Sequence, residues 1–347
     1  MPVGVGRERR LSRTSKTIAD SAGSASPTMA DLARLAGTSK ITVSRALADS
    51  PLVNPDTRTR IQAIAREHGY KLNISARNLR LRHSRTVGVI VEMRPSDARP
   101  MLDPYPLNLL GGITQALTTA GYSVLLTTRQ DANATAIHAA DGLILLGQGV
   151  HQDAVRRFDK LGLPMVVWGA PAGHDAHVVV GSNNRQGGAI VAEHFVTLGR
   201  RHPVFVGNPS HPEILDRLNG FVDALAGHGI KPLLMRRDEF TMAAGIDAVH
   251  SLMARKAEFD SIFACSDLLA IGALRALEEL GKSTPGDVSV VGYDDTPLSA
   301  SFLPALSTVR QDWQDGGTLL ARKVLALLQG QDAQSEMLPV TLVVRAT

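Results

Sequence analysis

Met29-Ala-Asp-Leu-Ala-Arg-Leu-Ala-Gly-Thr-Ser-Lys-Ile-Thr-Val-Ser-Arg-Ala-Leu47 is the stretch on which the reading of this chain turns. It holds two short runs of apolar residues at helical spacing, joined at Gly37. Thr28 is placed to cap a first helix carrying Leu32, Ala33, Leu35 and Ala36, and Ser39 a second through Val43, Ala46 and Leu47. Glycine suits the turn between them, and Ala33, Ala36 and Ala46 keep the contact thin. The second helix then exposes Lys40, Ile41, Thr42, Ser44 and Arg45. Such a face offers donors for phosphates and guanine edges beside an apolar group for a thymine methyl. A small helical packing module with a charged solvent face fits the same pattern, so the motif alone leaves both readings open. Pro51 and Pro55 punctuate the chain after the second helix. Asn54 or Asp56 can start a third helix through Ile61, Ile64 and Ala65, closed by Gly69.

Charge separates this end from the rest. Residues 1–85 carry sixteen Lys and Arg against six Asp and Glu, a net +10, whereas the remainder is net −6. A basic head on an acidic body expects a polyanion at one end only. Residues 1–27 are rich in Ser, Arg, Gly and Ala without periodicity and are expected to be disordered. Residues 71–85 form a basic connector with one helix-compatible stretch, Ile74 to Leu81.

From Thr86 onward, short apolar runs alternate with amphipathic stretches. The runs include Val87–Val91, Tyr122–Leu126, Leu143–Leu146, Met165–Trp168, Val178–Val180, Val204–Val206, Ser261–Ala264 and Val288–Val291. Between most of them lie helix-length segments such as Leu107–Ala120, Gln186–Leu198, Glu213–Gly227 and Leu268–Leu280. This alternation predicts parallel sheets with helices on both faces, and its length favours two such lobes over one.

Several separate motifs, in order, resemble the lactose/galactose repressor family. Ala-Gly-Thr-Ser-Lys-Ile-Thr-Val-Ser-Arg-Ala-Leu47 looks like that family's DNA-binding head, and Asn73-Ile-Ser-Ala-Arg-Asn-Leu-Arg80 like its hinge, with Leu72 where the family usually has proline. The likeness runs from Thr28 to the last residue. It implies an α/β protein with an all-α helix-turn-helix head (28–72), a hinge (73–85) and a two-lobed periplasmic-binding-protein-like body. The first lobe would be 86–181 plus 311–330, and the second 182–310 plus 331–347. It also implies base readers Lys40, Ile41 and Arg45, with Thr42 on the same helix, and phosphate contacts from Thr28 and Ser39. Hinge contacts from Asn73, Ala76 and Leu79 are implied as well, Leu79 wedging into the minor groove. In the body it implies an effector cleft at the carboxyl ends of the strands. Tyr105 follows the first strand, and Arg217, in a segment expected to open a helix, looks like the family's ligand-gripping arginine. Ser266 stands where the family often has asparagine, and Asp294 looks like its hydroxyl-binding carboxylate. Gln311 and Trp313 fall where the chain recrosses between lobes, and Trp168 is a further stacking candidate. Arg and Asp facing each other suit a polyhydroxylated ligand. Gly169 replaces a carboxylate, and Leu146 a polar contact, of the lactose-binding member.

The implied function is a cytoplasmic, effector-switched transcription factor, expected as a repressor of carbohydrate genes, binding a palindromic operator as a homodimer. With no heptad extension before Thr347, a dimer is expected over a tetramer. Two other readings are a sugar-binding protein without a DNA role and a sugar-modifying enzyme. The first needs an export signal and no basic head, the reverse of this chain. The second needs clustered catalytic groups. Asp294 and Asp295 are adjacent and point apart, there is no nucleophile elbow, and the 11 histidines show no metal spacing. Gly111-Gly112 and Gly316-Gly317 lack the context of a phosphate loop. No enzyme activity, cofactor, metal or membrane partner is expected. One cysteine, Cys265, excludes an internal disulfide.

Overall fold

A computed structural model describes residues 27–70, 83–92, 104–129, 135–171 and 177–347. The N-terminal extension, the stretch Ile74 to Leu81 and the hinge residues Asn73, Ala76 and Leu79 lie outside the described residues. The chain divides into two compact units, Met1–Arg77 and Asn78–Thr347.

Among its described residues the first unit holds three helices, α1 (Met29–Leu35), α2 (Lys40–Leu47) and α3 (Pro55–Glu67). Thr28 and Asp31 close a reciprocal capping box on α1, Ser39 caps α2 by accepting from the Thr42 amide, and Asn54 caps α3 with Pro55 behind it. Gly37 makes the turn between α1 and α2 with φ +59°. Leu32, Ala33, Ala36, Val43, Ala46, Val53, Ile61 and Ala65 form one small core. Ala33, Ala36 and Ala46 sit where thin contacts are needed, so a short chain seals its interior with few large side chains.

The second unit contains two six-stranded sheets. In chain order its first half runs β1 (Thr86–Val91), α4 (Pro104–Thr119), β2 (Ser123–Thr128), α5 (Thr135–His138), β3 (Gly142–Leu146), α6 (Asp153–Asp159), β4 (Met165–Trp168) and β5 (Val178–Ser182). Then come α7 (Asn184–Thr197), β6 (Pro203–Val206), α8 (Pro212–Ala226), β7 (Leu233–Met235), α9 (Met242–Ala254) and β8 (Ser261–Ala264). The chain ends with α10 (Asp267–Glu279), β9 (Ser289–Asp294), α11 (Pro297–Ser301), β10 (Ser307–Arg310), α12 (Trp313–Leu328), β11 (Glu336–Leu338) and β12 (Thr341–Val343).

The first sheet has the order β11-β5-β4-β3-β1-β2 and the second β12-β10-β9-β8-β6-β7. Among the described residues every pairing is parallel except β10 with β12. The central strands are buried on both faces, which is why they read as unbroken Val, Ile and Leu runs rather than as alternating ones. The last crossover corrects the expected lobe boundary. Residues 336–338 pair with Val180, Gly181 and Ser182 in the first sheet, and only 341–343 return to the second. The chain therefore crosses three times between lobes, at Asn183, at Gln311–Asp312 and at Pro339–Val340. Another correction concerns Asp216-Arg217, expected to open a helix. α8 begins at Pro212, so Arg217 is more than a turn inside it.

Helix pairs cross at glycines. A Cβ on Gly188 of α7 would lie 1.9 Å from the Arg217 carbonyl oxygen of α8, and one on Gly220 would lie 1.9 Å from that of Arg185. Gly112 of α4 and Gly317 of α12 meet in the same way, with a Gly112 Cβ 2.4 Å from the Gln314 carbonyl oxygen. One glycine of each doublet, Gly112 and Gly317, is thus a contact point between helices. Among the described residues no helix is long and apolar enough to cross a membrane.

Candidate functional site

On the first unit, α2 buries Val43 and Ala46 and turns Lys40, Ile41 and Arg45 outward. Ile41 is 64% exposed on this face. Thr42 is half-buried, and its hydroxyl lies 2.9 Å from that of Ser39. Thr28 and Ser39 are both exposed, but both hydroxyls already work as caps. The Thr28 hydroxyl donates to Asp31 at 2.7 Å, and these bonds hold the Asp31 carboxyl below its ordinary range. A phosphate at Thr28 would compete with that carboxylate.

In the second unit a cleft of about 290 Å³ opens at the carboxyl ends of both sheets. Glu92 follows β1, Gln148 follows β3, Trp168 ends β4 and Ser182 ends β5; from the other sheet come Asn208 after β6, Arg236 after β7, Ser266 after β8 and Asp294 ending β9. Parallel strands present all their carboxyl ends on one edge, so residues distant in sequence converge there. Of the seven effector candidates, Tyr105, Trp168, Arg217, Ser266, Asp294 and Gln311 line this cleft. Trp313 is not among the lining residues. It starts α12, is 6% exposed within the first-lobe core and meets Tyr105 edge-on at 6.3 Å.

Arg217 is held from three sides. Its Nε donates to Asn184 Oδ1 at 2.8 Å, its Nη1 to the Cys265 carbonyl at 2.6 Å, and its guanidinium lies 3.6 Å from the Tyr293 ring centre. Burial raises the Tyr293 hydroxyl to about 12, so the ring stays neutral under the cation. Asp294 departs from strand geometry with φ +122°, and Gln311 donates to its Oδ1 at 2.7 Å. Asp295 turns the other way and is bound by Arg345 at 2.6 Å and Arg310 at 2.6 Å. Burial pushes the Asp295 carboxyl up, but these two guanidinium groups outweigh it and hold it low. The adjacent carboxylates therefore serve different ends, as the sequence suggested.

The turn carrying Asp294 is anchored by Asp267, fully buried at the start of α10. It accepts from the Thr296 amide at 2.7 Å, the Thr296 hydroxyl at 2.9 Å and the Thr308 hydroxyl at 2.5 Å. Burial raises its carboxyl to about 6 despite these bonds. Ser266 caps α10 by accepting from Leu269, so its hydroxyl shapes the wall as well as facing the cleft.

Other lining residues carry no signal in the sequence. Gln148 clasps the Ala170 peptide with bonds of 2.9 and 2.8 Å. A Cβ at Gly169 would stand 2.3 Å from Gln148 Oε1, which explains why no larger residue occupies that position. Phe240 and His211 pack edge-on with centroids 5.5 Å apart on the second-lobe wall. Arg129 ties Glu92 to Asp153. The His151 amide, on the loop after β3, donates to the Ser210 carbonyl at 2.9 Å and bridges the lobes directly. Ser182 Oγ is sealed from water, with no hydrogen-bond partner among the described residues. Among the described residues, no three His, Cys, Asp or Glu side chains are grouped to hold a metal.

Comparison with known proteins agrees with this architecture. Residues 28–73 match the model of the bacterial regulatory proteins of the lacI family, and residues 192–347 that of a periplasmic binding protein-like domain. The regulator CelR of Thermobifida fusca is 29% identical over 320 residues, covering 89% of this chain and 94% of its own. A lac repressor dimer bound to operator and the anti-inducer ONPF superposes with a TM-score of 0.82 at 27% identity, covering 92% of this chain and 98% of that one. A CelR–cellobiose complex gives 0.68 at 28% identity over 92% and 99%. Head, two-lobed body and their order along the chain coincide throughout, and the protein belongs to the lacI family of bacterial transcriptional regulators.

Proposed function

We propose that this regulator binds a near-palindromic operator as a homodimer and is switched by a sugar-like effector in the cleft. The observation that carries the effector reading is the pairing of a fixed cation with a fixed anion on one wall. Arg217 and Asp294 both line the cleft and are both held by buried neighbours. Preorganised charged groups make strong, directional bonds to hydroxyls without reordering cost. Tyr105, Trp168 and Phe240 offer faces for the apolar side of a ring. The cellobiose found in CelR supports the same ligand class.

At the other end Lys40, Ile41, Thr42 and Arg45 read base edges, with Ser39 and Thr28 near the backbone phosphates. Two such heads on a two-fold axis require a two-fold operator. Binding of the effector changes lobe closure, so operator and effector affinities are linked by one coupling free energy, typically ~1–3 kcal/mol. The protein acts as a cytoplasmic binder rather than as a catalyst: the adjacent carboxylates diverge, and the cleft is built for grip.

The test is electrophoretic mobility shift on palindromes near the protein's own gene, in low salt, with and without a sugar panel including cellobiose. A shift that any one sugar strengthens or weakens at least several-fold is expected. No shift on any palindrome, with or without sugars, removes the reading.

A further inference from the structure

Ser84 and Arg85 are the last residues of the basic connector before β1, and the body grips both with one side chain. Asp141, the residue before β3, accepts from the Ser84 amide at 2.7 Å, the Ser84 hydroxyl at 3.0 Å and the Arg85 amide at 2.8 Å. The Ser84 hydroxyl accepts in turn from the Thr86 amide at 3.1 Å, and the Asp141 amide donates to the Thr86 carbonyl at 2.8 Å. On the other side the Arg85 carbonyl accepts from the amide of Ser123, the first residue of β2, at 2.8 Å. The Arg85 guanidinium lies 5.7 Å from the Tyr122 ring centre. Arg85 itself is left-handed, with φ +51°. A non-glycine residue keeps such a backbone only where its surroundings over-determine it, and here its amide and its carbonyl are both held. The joint has no free swivel.

The same three strands meet the cleft at their other ends. β1 pairs in parallel with both β2 and β3. Glu92 follows β1, Arg129 follows β2, and Gln148 stands two places after β3. The Glu92 amide donates to the Leu146 carbonyl at 2.9 Å, the Arg129 amide to that of Val91 at 3.1 Å, and the Glu92 and Arg129 side chains pair. Glu92 and Gln148 line the cleft. A strand of six residues spans about 20 Å, and β1 and β3 are buried almost throughout. A hydrogen-bonded, close-packed slab moves as one body and passes strain from end to end. Whatever turns the first lobe at its cleft edge therefore turns Ser84 and Arg85 with it, provided that Asp141 keeps its hold.

The second lobe has a matching clamp without that duty. Asp260, the residue before β8, accepts from the Arg201 amide at 2.6 Å and the His202 amide at 3.0 Å, just ahead of β6. Those gripped residues follow α7 of the same lobe, so the bonds fasten helix to sheet and nothing else. Asp260 isolates what such a clamp contributes to the fold alone.

We propose that Asp141 is a positioning residue for the DNA response: it fixes the point where the connector enters the body, so that movement of the first lobe reaches the head instead of being lost in a slack joint. This rests on the operator and effector reading and adds to it the residue through which the two ends are joined.

The experiment measures operator affinity of the full-length protein by fluorescence anisotropy, on the palindrome it shifts, with and without saturating cellobiose, glucose, galactose or ribose. In the unaltered protein at least one sugar is expected to change the affinity about fivefold or more. In Asp141→Ala that ratio is expected to fall to within about twofold of one. Operator affinity then settles between the sugar-free and sugar-saturated values of the unaltered protein, because a slack joint leaves the head indifferent to the lobes. Sugar affinity by calorimetry, without DNA, is expected to stay within about twofold. Asp141→Asn keeps an acceptor for Ser84 but sets a donor against the Arg85 amide, and an intermediate ratio is expected. Asp260→Ala and Asp260→Asn are expected to lower the melting temperature as their Asp141 counterparts do, yet to keep the full ratio. Should either alanine variant not fold, the two asparagine variants carry the comparison. A full ratio in the Asp141 variants, or an equal loss in the Asp260 variants, overturns the proposal and leaves the operator and effector reading standing. An unaltered protein that none of these sugars affects overturns both.

Discussion

Gly188→Ala places one methyl group at the crossing of α7 and α8. Its Cβ would stand 1.9 Å from the carbonyl oxygen of Arg217 and 2.7 Å from the Phe221 amide nitrogen, where real contacts stay above 3.0 Å. The obstructing atoms are backbone, so no side chain can swing aside and the helices must part by about 1 Å. Alanine in mid-helix is worth about 0.5–1 kcal/mol over glycine, whereas overpacking a tight contact costs about 1–3 kcal/mol. With rigid backbone on both sides the upper part of that range applies, leaving a net loss of about 1–2 kcal/mol. For a unit of this size the melting temperature falls by about 2–4 °C per kcal/mol. The struck carbonyl belongs to Arg217 itself, so the bonds at 2.8 and 2.6 Å that aim its guanidinium are strained together. Loss of one well-aimed charged hydrogen bond, about 1.5–3 kcal/mol, weakens effector binding by roughly tenfold or more. Thermal melting and sugar calorimetry on the same preparation measure both effects. An unchanged melting temperature with unchanged affinity would refute the close crossing and the route from it to Arg217.

Arg45→Ala is expected to erase the difference between operator and random duplex in a competition gel-shift while leaving sugar affinity intact; loss of both places the head elsewhere. Asp294→Ala is expected to abolish the effect of the sugar on operator affinity and keep operator binding itself; an undiminished response takes Asp294 out of the site. Asp267 has its carboxyl raised from 3.8 to about 6, so the folded chain binds more protons than the unfolded one between those values. Its contribution to stability therefore grows as pH falls from about 6 to about 4 and is lost on the way back up. In melting curves across that window, the unaltered protein is expected to gain stability relative to Asp267→Asn as the pH is lowered. A difference between the two that does not move with pH rules the linkage out.

Strands buried on both faces were legible because burial writes itself as a run of branched apolar residues, and β4 occupies the same residues in sequence and structure. β7, β11 and β12 carry only three residues each, nearly all exposed or half-buried, so no periodicity marks them. Arg217 and Asp294 were found through resemblance, not pattern: one lies in mid-helix and the other ends a strand, as many residues do. Phe240, His211, Glu213 and Gln148 left no local signal, since each becomes a wall only when sheet pairing brings its segment to the cleft edge. Trp313 shows the converse. An aromatic at a crossover suited a stacking floor and a core place about equally, and it lies in the first-lobe core, edge-on to Tyr105.

The three passages between the lobes bear on how a small molecule can be felt far away. Gln311, which grips Asp294, belongs to one of those passages, and Ser182 precedes another. Groups beside a pivot travel least when two halves swing about it, while the outer ends travel most. A ligand gripped there can stay seated as the angle changes, and a sub-ångström adjustment at the fulcrum becomes several times larger at the far margins of each lobe. Three tethers in place of one also resist sliding and twisting, leaving a single easy motion for the bound molecule to bias.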